Sequence, residues 1–166
     1  KIGGNDATIT IPAYTSAIGD YAFAYCQNAT KVEFQTDTDN KCYVQSIGEG
    51  AFYACKNIVS KITIPVAKDI NENETPIVLG SSAFEECQTL TEIEFKGEIS
   101  SLPYAVCYGC SELNYVKFPK DSPITSIGSY AFANCQSLLH IGTDNTIPKY
   151  VREIGNKAFM NCVNMG

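Results

Sequence analysis

A nine-residue pattern recurs six times along the chain and constrains the fold more than any other feature of the sequence. In residues 18–26 it reads Ile-Gly-Asp-Tyr-Ala-Phe-Ala-Tyr-Cys. Close matches occupy residues 47–55, 79–87, 127–135 and 154–162, and a degenerate copy occupies residues 102–110. We number these copies units 1–6 and the places within each copy positions 1–9. The final cysteines of successive units are 29, 32, 23, 25 and 27 residues apart, a spacing typical of solenoids, in which each unit packs only against its neighbours.

Each copy is followed by a second, shorter apolar pattern. Val32-Glu33-Phe34 and Ile93-Glu94-Phe95 alternate apolar and polar residues, which predicts a half-buried strand. Within the nine-residue copy, the apolar spacing of Ala22, Phe23 and Cys26 predicts a short helical turn with one inward face. The glycine at position 2 predicts a sharp corner that a Cβ atom would crowd.

The combined pattern, a strand followed by V-x-x-I-G-x-x-A-F-x-x-C, resembles the BspA-type leucine-rich repeat family from Thr8 to Met165. The resemblance implies an α/β solenoid: a right-handed leucine-rich-repeat superhelix with a parallel concave β-sheet and short helical turns on the convex side. Residues 1–166 are expected to form one array of about six to seven repeats. We expect both ends to cut through a repeat and the array to be a fragment of a larger protein. The departures are Val106 and Cys107 in unit 4, the strand ending Gly142-Thr143, and two long acidic insertions.

The cysteines number eight, an even count that suggests a disulfide framework until their spacing is considered. Six of them share position 9: Cys26, Cys55, Cys87, Cys110, Cys135 and Cys162. Stacked units would hold their Cβ vectors parallel, which disfavours disulfide geometry, so we expect a buried ladder of free thiols. Cys107 takes the phenylalanine position of unit 4, which explains its C-x-x-C spacing with Cys110 without a redox or zinc site. Cys42 lies outside the repeat in a polar insertion and is predicted to be the exposed, reactive thiol.

Charge and composition exclude several functional classes. The net charge is −6 and Arg152 is the only arginine, so the chain offers no basic surface for nucleic acid. No apolar run is long enough to span a bilayer, so we expect no membrane insertion of this segment. The only histidine is His140, without a nucleophile motif beside it, and Glu92 and Glu94 lie on an open strand face. We therefore expect no enzyme, no metal and no cofactor.

Two acidic insertions, residues 37–40 and 69–74, leave two interpretations open. Their oxygen-rich sequences are compatible with weak calcium binding, but they lack the glycine and the terminal glutamate of an EF-hand loop. Solvated surface loops are the favoured interpretation.

The outward strand positions predict the partner-binding surface, which we call the sheet face. Its candidate residues are Lys31, Glu33, Lys61, Thr63, Glu92, Glu94, Tyr115, Lys117 and His140, with Thr8, Thr10 and Gly142 at the same kind of position. A single aromatic residue among mixed charges favours a protein partner over a glycan. An ordinary solvated face without a partner is the alternative. Tyrosines within or beside the turns are expected to cover the convex side by half-buried packing: Tyr21, Tyr25, Tyr53, Tyr108 and Tyr130.

The family resemblance implies adhesins and host-interaction proteins of host-associated bacteria or parasitic protists. The chain is therefore expected to be a non-catalytic protein-binding or adhesion module, extracellular or on the cell surface, whose partner is a protein of a host or neighbouring cell. The alternative is a carbohydrate-binding or scaffold module appended to a secreted enzyme.

Overall fold

A computed structural model describes residues 7–142 and 146–166, which form a parallel-stranded β-solenoid of about six turns. Its eleven strands are β1 (Ala7–Ile11), β2 (Ala17–Ile18), β3 (Ala29–Phe34), β4 (Ser46–Ile47), β5 (Ile62–Ile64), β6 (Val78–Leu79), β7 (Glu92–Phe95), β8 (Tyr115–Lys117), β9 (Ser126–Ile127), β10 (His140–Ile141) and β11 (Glu153–Ile154). Every pairing between these strands is parallel. Thr143, named above as a departure from the pattern, lies outside the described residues.

The strand before unit 1 and the strands that follow units 1–5 form the sheet face in two ladders. One pairs β1 with β3, and the other has the order β5-β7-β8-β10. The break falls after unit 2, where Ile58 and Ile62 are separated by one residue more than the corresponding pair Leu90 and Ile93. The extra residue shifts the local register, although a backbone hydrogen bond of 3.2 Å from Val59 N to Thr30 O still joins the two units.

Position 1 of each unit forms a second, shorter set of parallel pairings. Ile18 pairs with Ile47, and Ile47 with Leu79, across the sheet β2-β4-β6. Ile127 pairs with Leu102 through an isolated bridge and with Ile154 through β9 and β11. The apolar side chains of position 1 therefore stack along the array.

The nine-residue segments are stacked turns, and the prediction of helical turns is wrong: the described residues include no helix. The N–H groups of positions 4, 6 and 8 donate to the next unit, as in the 2.7 Å bond from Tyr21 N to Glu49 O and the 2.8 Å bond from Phe23 N to Ala51 O. The N–H groups between them close turns within the unit, as from Ala24 to Tyr21 at 3.1 Å.

Positions 4 and 8 adopt positive φ in all six units. These residues are Tyr21, Tyr25, Gly50, Ala54, Ser82, Glu86, Ala105, Gly109, Tyr130, Asn134, Lys157 and Asn161, with φ between 49° and 71°. A left-handed residue cannot continue a right-handed helix, so two of them in each copy prevent a helical turn. They also direct the intervening N–H groups towards the neighbouring unit.

The core is one continuous column of stacked side chains. At position 6, Phe23, Phe52 and Phe84 stack with ring centroids 5.5 Å apart, and Phe132 and Phe159 repeat the spacing. Unit 4 interrupts this column with Cys107, while the larger Val106 takes the alanine position beside it, and both side chains are buried. The smaller side chain at position 6 is thus compensated by a larger one at position 5, and the core stays filled.

In units 2, 3, 5 and 6 the preceding unit, rather than the residue's own φ angle, requires a glycine at position 2. A Cβ atom at Gly80 would lie 2.5 Å from the carbonyl carbon of Gly48, and one at Gly48 would lie 2.7 Å from that of Gly19. No described atom lies within 4 Å of a Cβ built at Gly19. The predicted corner is therefore a place where successive backbones nearly touch.

Candidate functional site

The strands bring most of the predicted sheet-face residues into two adjacent rows. Glu92 is in register with Tyr115, and Tyr115 with His140. In the second row, Thr63 is in register with Glu94, and Glu94 with Lys117. Five residues are set apart. Thr8, Thr10, Lys31 and Glu33 lie on the separate β1–β3 ladder. Gly142, predicted to face outward, is buried with a φ of 81°.

Cross-strand ion pairs connect the charged residues of the sheet face. Lys61 contacts both Glu94 and Glu92, the latter at 3.2 Å, and Lys117 reaches Glu92 at 3.1 Å. Lys96 adds a contact of 2.7 Å to Glu94. The side chains of Glu92 and Glu94 are only 17% and 18% exposed, and each contacts two lysines.

The electrostatics of this network do not suit acid catalysis. Hydrogen bonds from Lys61 and then Lys96 lower the pKa of Glu94, and the hydrogen bond to Glu94 raises the pKa of Lys61. A general acid working near neutral pH needs a raised carboxyl pKa. Glu94 is shifted in the opposite direction.

An aromatic cluster lies at the C-terminal end of the sheet face. The rings of Tyr115 and His140 have centroids 4.7 Å apart at an interplanar angle of 55°. The Lys117 ammonium lies over the Tyr115 ring, 5.1 Å from its centroid. All three side chains are partly exposed, so the cluster presents a cation, a phenol and an imidazole to solvent together.

The position-9 cysteines form a column with a hydrogen bond that the sequence did not reveal. In units 2–6, each thiol donates to the position-6 carbonyl of the preceding unit; the bonds are Cys55 to Phe23 (3.0 Å), Cys87 to Phe52 (3.1 Å), Cys110 to Phe84 (2.9 Å), Cys135 to Cys107 (3.0 Å) and Cys162 to Phe132 (3.0 Å). All eight cysteines are free thiols in the structure. Burial raises the pKa of Cys55 and of Cys162 to about 11.

Cys42 is buried, and the prediction of an exposed, reactive thiol is wrong. It pairs with Ala67 in an isolated parallel bridge, which joins the two long insertions, and its exposed fraction is 1%. Burial raises the pKa of the Cys42 thiol and so disfavours the reactive thiolate. The sequence did not predict the bridge between Cys42 and Ala67, because both residues lie in insertions that carry no repeat pattern.

The two acidic insertions are a matched pair of loops. Asp37 Oδ1 accepts hydrogen bonds of 2.9 Å from the backbone N–H groups of Asp39 and Lys41. Asp69 Oδ1 accepts the equivalent bonds from Asn71 (2.8 Å) and Asn73 (2.9 Å). These two carboxylates thus organise their own loops. Within residues 7–142 and 146–166, no group of three or more histidine, cysteine, aspartate or glutamate residues could hold a metal ion.

The tyrosines near the turns match the packing prediction only in part. Tyr53, Tyr108 and Tyr130 are half-buried, but Tyr21 and Tyr25 are 51% and 64% exposed. Tyr25 and Tyr53 meet edge to face with centroids 5.3 Å apart. Several of these rings therefore border open surface.

Among the described residues there is no helix long and apolar enough to cross a membrane. Comparison with curated protein sequences finds no match.

The solved structures that resemble the chain include three leucine-rich repeat proteins. A leucine-rich repeat protein from Eubacterium ventriosum shares 24% identity at a TM-score of 0.66, over 97% of this chain and 43% of that one. The leucine-rich repeat protein of T. pallidum shares 20% identity at a TM-score of 0.69, over 96% of this chain and 64% of that one. A leucine-rich repeat protein from Bacteroides ovatus shares 25% identity at a TM-score of 0.51, over 95% of this chain and 47% of that one. The chain therefore spans less than two thirds of the length of each.

A family model for the BspA type leucine rich repeat region matches the chain in six copies, over residues 5–75 and 41–166. The match covers nearly the whole sequence and agrees with the stacked parallel units of the structure. It confirms the resemblance found in the repeat pattern: the chain belongs to the BspA-type leucine-rich repeat family.

Proposed function

We propose that the chain is a non-catalytic protein-binding or adhesion module of a cell-surface or secreted protein, and that it binds its partner through the sheet face. The observation that carries the proposal is the cluster of Tyr115, His140 and Lys117, which lies on the open side of the sheet beside the lysine–glutamate ion pairs.

The cluster has the composition of a protein-recognition anchor. Binding energy at protein interfaces concentrates in a few aromatic and cationic side chains, and tyrosine is prominent among them. The lysine–glutamate network around Glu92 and Glu94 supplies charges already held in place, which favours a partner with complementary charge and reduces the ordering cost of binding. A partner surface with an apolar socket for Tyr115 and an acidic group for Lys117 fits this arrangement.

A catalytic role has no comparable support. His140 packs on a tyrosine ring, and Glu94 is kept ionised by its lysine partners. The proposal accordingly needs neither a cofactor nor a metal. We place the module outside the cell, as one array within a larger protein, with a protein of a host or neighbouring cell as its partner.

The proposal is tested by measuring the affinity of the chain for purified extracellular-matrix and cell-surface proteins by biolayer interferometry. For any partner found, Tyr115→Ala should weaken binding about tenfold because it removes the aromatic anchor, and Lys117→Glu should weaken it further by placing a negative charge beside Glu92.

Tyr14→Ala is the matched control, since Tyr14 is 74% exposed but stacks on Tyr43 at the insertion flank, away from the sheet face. A partner whose affinity is the same for wild type and Tyr115→Ala, or that is lost with Tyr14→Ala instead, would show that the sheet face is not the binding surface.

A further inference from the structure

An open cleft of about 530 Å³ lies on the turn side of the solenoid and is distinct from the sheet face. Its lining includes position 7 of units 2, 3 and 4, which are Tyr53, Glu85 and Tyr108. Tyr25, at position 8 of unit 1, closes one end. We call this surface the tyrosine cleft.

The small Ala54 at position 8 lines the depression between the larger Tyr25 and Glu86 of the adjacent units. Ala54 in unit 2 and Gly109 in unit 4 alternate with the larger Tyr25 and Glu86 of units 1 and 3. The Glu86 carboxylate lies over Gly109, where a Cβ atom would collide with its side chain. The cleft thus follows from the order of small and large residues along one column of the repeat.

Its aromatic side chains are arranged as platforms. Tyr25 and Tyr53 meet at an interplanar angle of 71°, so the two rings form adjoining walls. Tyr108 lies two units beyond Tyr53, about 10 Å away at the usual spacing of stacked strands. A ligand touching both ends must therefore be extended along the solenoid axis.

Hydrogen-bond donors and acceptors both lie between and beside the tyrosine rings. Glu85 and Glu86 provide carboxylate acceptors, and the Gln88 side-chain amide fixes Glu86 with a hydrogen bond of 2.8 Å. Lys56 provides an ammonium donor. The Tyr53 hydroxyl is protonated at physiological pH, as an ordinary tyrosine is, and burial, followed by the nearby Tyr25 and Glu85, raises its pKa further.

These groups select the class of ligand. Glu85 and Glu86 would repel an anion, and Lys56 offsets only part of their negative charge. A neutral molecule with many hydroxyl groups can satisfy donors and acceptors together, and the apolar C–H faces of its sugar rings can lie on the tyrosine rings. From this geometry we infer that the tyrosine cleft binds a neutral oligosaccharide, a second binding site that does not depend on the proposed function of the sheet face.

The test titrates the chain with neutral oligosaccharides of two to six residues, namely β-1,4-linked glucose, mannose and N-acetylglucosamine and α-1,4-linked glucose. Isothermal titration calorimetry gives affinity, and tyrosine fluorescence gives a second signal because the chain has ten tyrosines and no tryptophan. We expect at least one series to bind with a Kd below about 1 mM, with affinity rising with length until both platforms are covered and changing little with added salt.

Two variants locate the binding. Tyr53→Ala and Tyr108→Ala should each weaken it about five- to tenfold, the loss expected for one stacked aromatic contact. Both should fold normally, because units 1 and 5 carry Ala24 and Ala133 at the same position. Circular dichroism confirms folding before titration.

Tyr115→Ala is the control that separates this inference from the proposed function, since it should leave oligosaccharide affinity unchanged. The inference is overturned if no neutral oligosaccharide binds below about 1 mM, if only charged oligosaccharides bind, or if the Tyr53 and Tyr108 variants bind as wild type does.

Discussion

At the scale of single residues, the position-9 cysteine combines two properties that no other side chain offers together. It is small and apolar enough for the stacked core, and its thiol donates to the position-6 carbonyl of the preceding unit. Alanine would fit but could not donate, while serine would bury a more polar group. The repeat alone predicts the column of cysteines. The hydrogen bond depends on how far each unit is displaced relative to the preceding one, and no sequence pattern shows that displacement.

The buried thiols predict a stability that falls in alkaline solution. Burial raises the pKa of Cys55 to about 11 from the ordinary value of 9.0. Its contribution is therefore complete below about pH 9 and is lost between about pH 9 and 11, because the unfolded chain releases the thiol proton first. The free energy of unfolding should fall by up to about 1.4 kcal/mol per pH unit for each such thiol, measured by urea titration at pH 8, 9 and 10.

Cys55→Ser is the control for this prediction. It removes one titrating thiol. The free energy of unfolding should therefore fall less steeply with pH, by the amount that one thiol contributes. A slope that is the same in wild type and Cys55→Ser, or an unfolding midpoint that does not change between pH 8 and 10, would contradict the assignment.

At the scale of elements, the turns show why the spacing of apolar residues can predict the wrong secondary structure. The spacing of Ala22, Phe23 and Cys26 is compatible with a helix and equally with two successive turns whose N–H groups serve the next unit. A sequence signal for the turns was present, since Gly50 and Gly109 occupy positions that require positive φ, and Asn134 tolerates it. Tyrosine at the same positions in units 1 and 5 obscured that signal.

The position-2 glycines give the sharpest test of unit stacking. Gly80→Ala should destabilise the chain by about 1–3 kcal/mol, because the new Cβ atom meets the backbone of Gly48 and Glu49. Gly19→Ala, the same change where no described atom lies within 4 Å, should change stability by less than about 0.5 kcal/mol. Urea unfolding midpoints measure both, and equal effects would show that the glycine acts through its own conformation.

At the scale of the whole molecule, the repeat made the architecture predictable and left the insertions unpredictable. Strand order, inward side chains and the meeting of Tyr115 with His140 all follow from copying one unit, because equivalent positions of adjacent units come into register. Cys42 does not follow, since it lies where units differ in length. The tyrosine cleft was missed for a related reason: it depends on the order of residues at positions free to vary, such as Ala54 and Glu85.

Because each unit contacts its neighbours alone, removal of the last unit should weaken the array without abolishing its fold. A chain of residues 1–142 retains units 1–5, and it should keep its circular dichroism spectrum per residue. Its urea m-value should decrease by about one seventh, in proportion to the length of chain removed, with a lower unfolding midpoint. A chain that is fully unfolded in buffer would contradict the nearest-neighbour description.

The matched insertion loops have a consequence for how such an array can change. Asp37 and Asp69 impose the same backbone hydrogen-bond pattern on loops of different sequence, and Lys41 joins the two through a 2.6 Å ion pair with Glu72. The pattern needs only one aspartate and a residue that accepts positive φ three places later, Asn40 or Glu72. The flank is therefore a natural grafting point, at which foreign segments can be exchanged between adjacent repeats while the stacked core keeps its geometry.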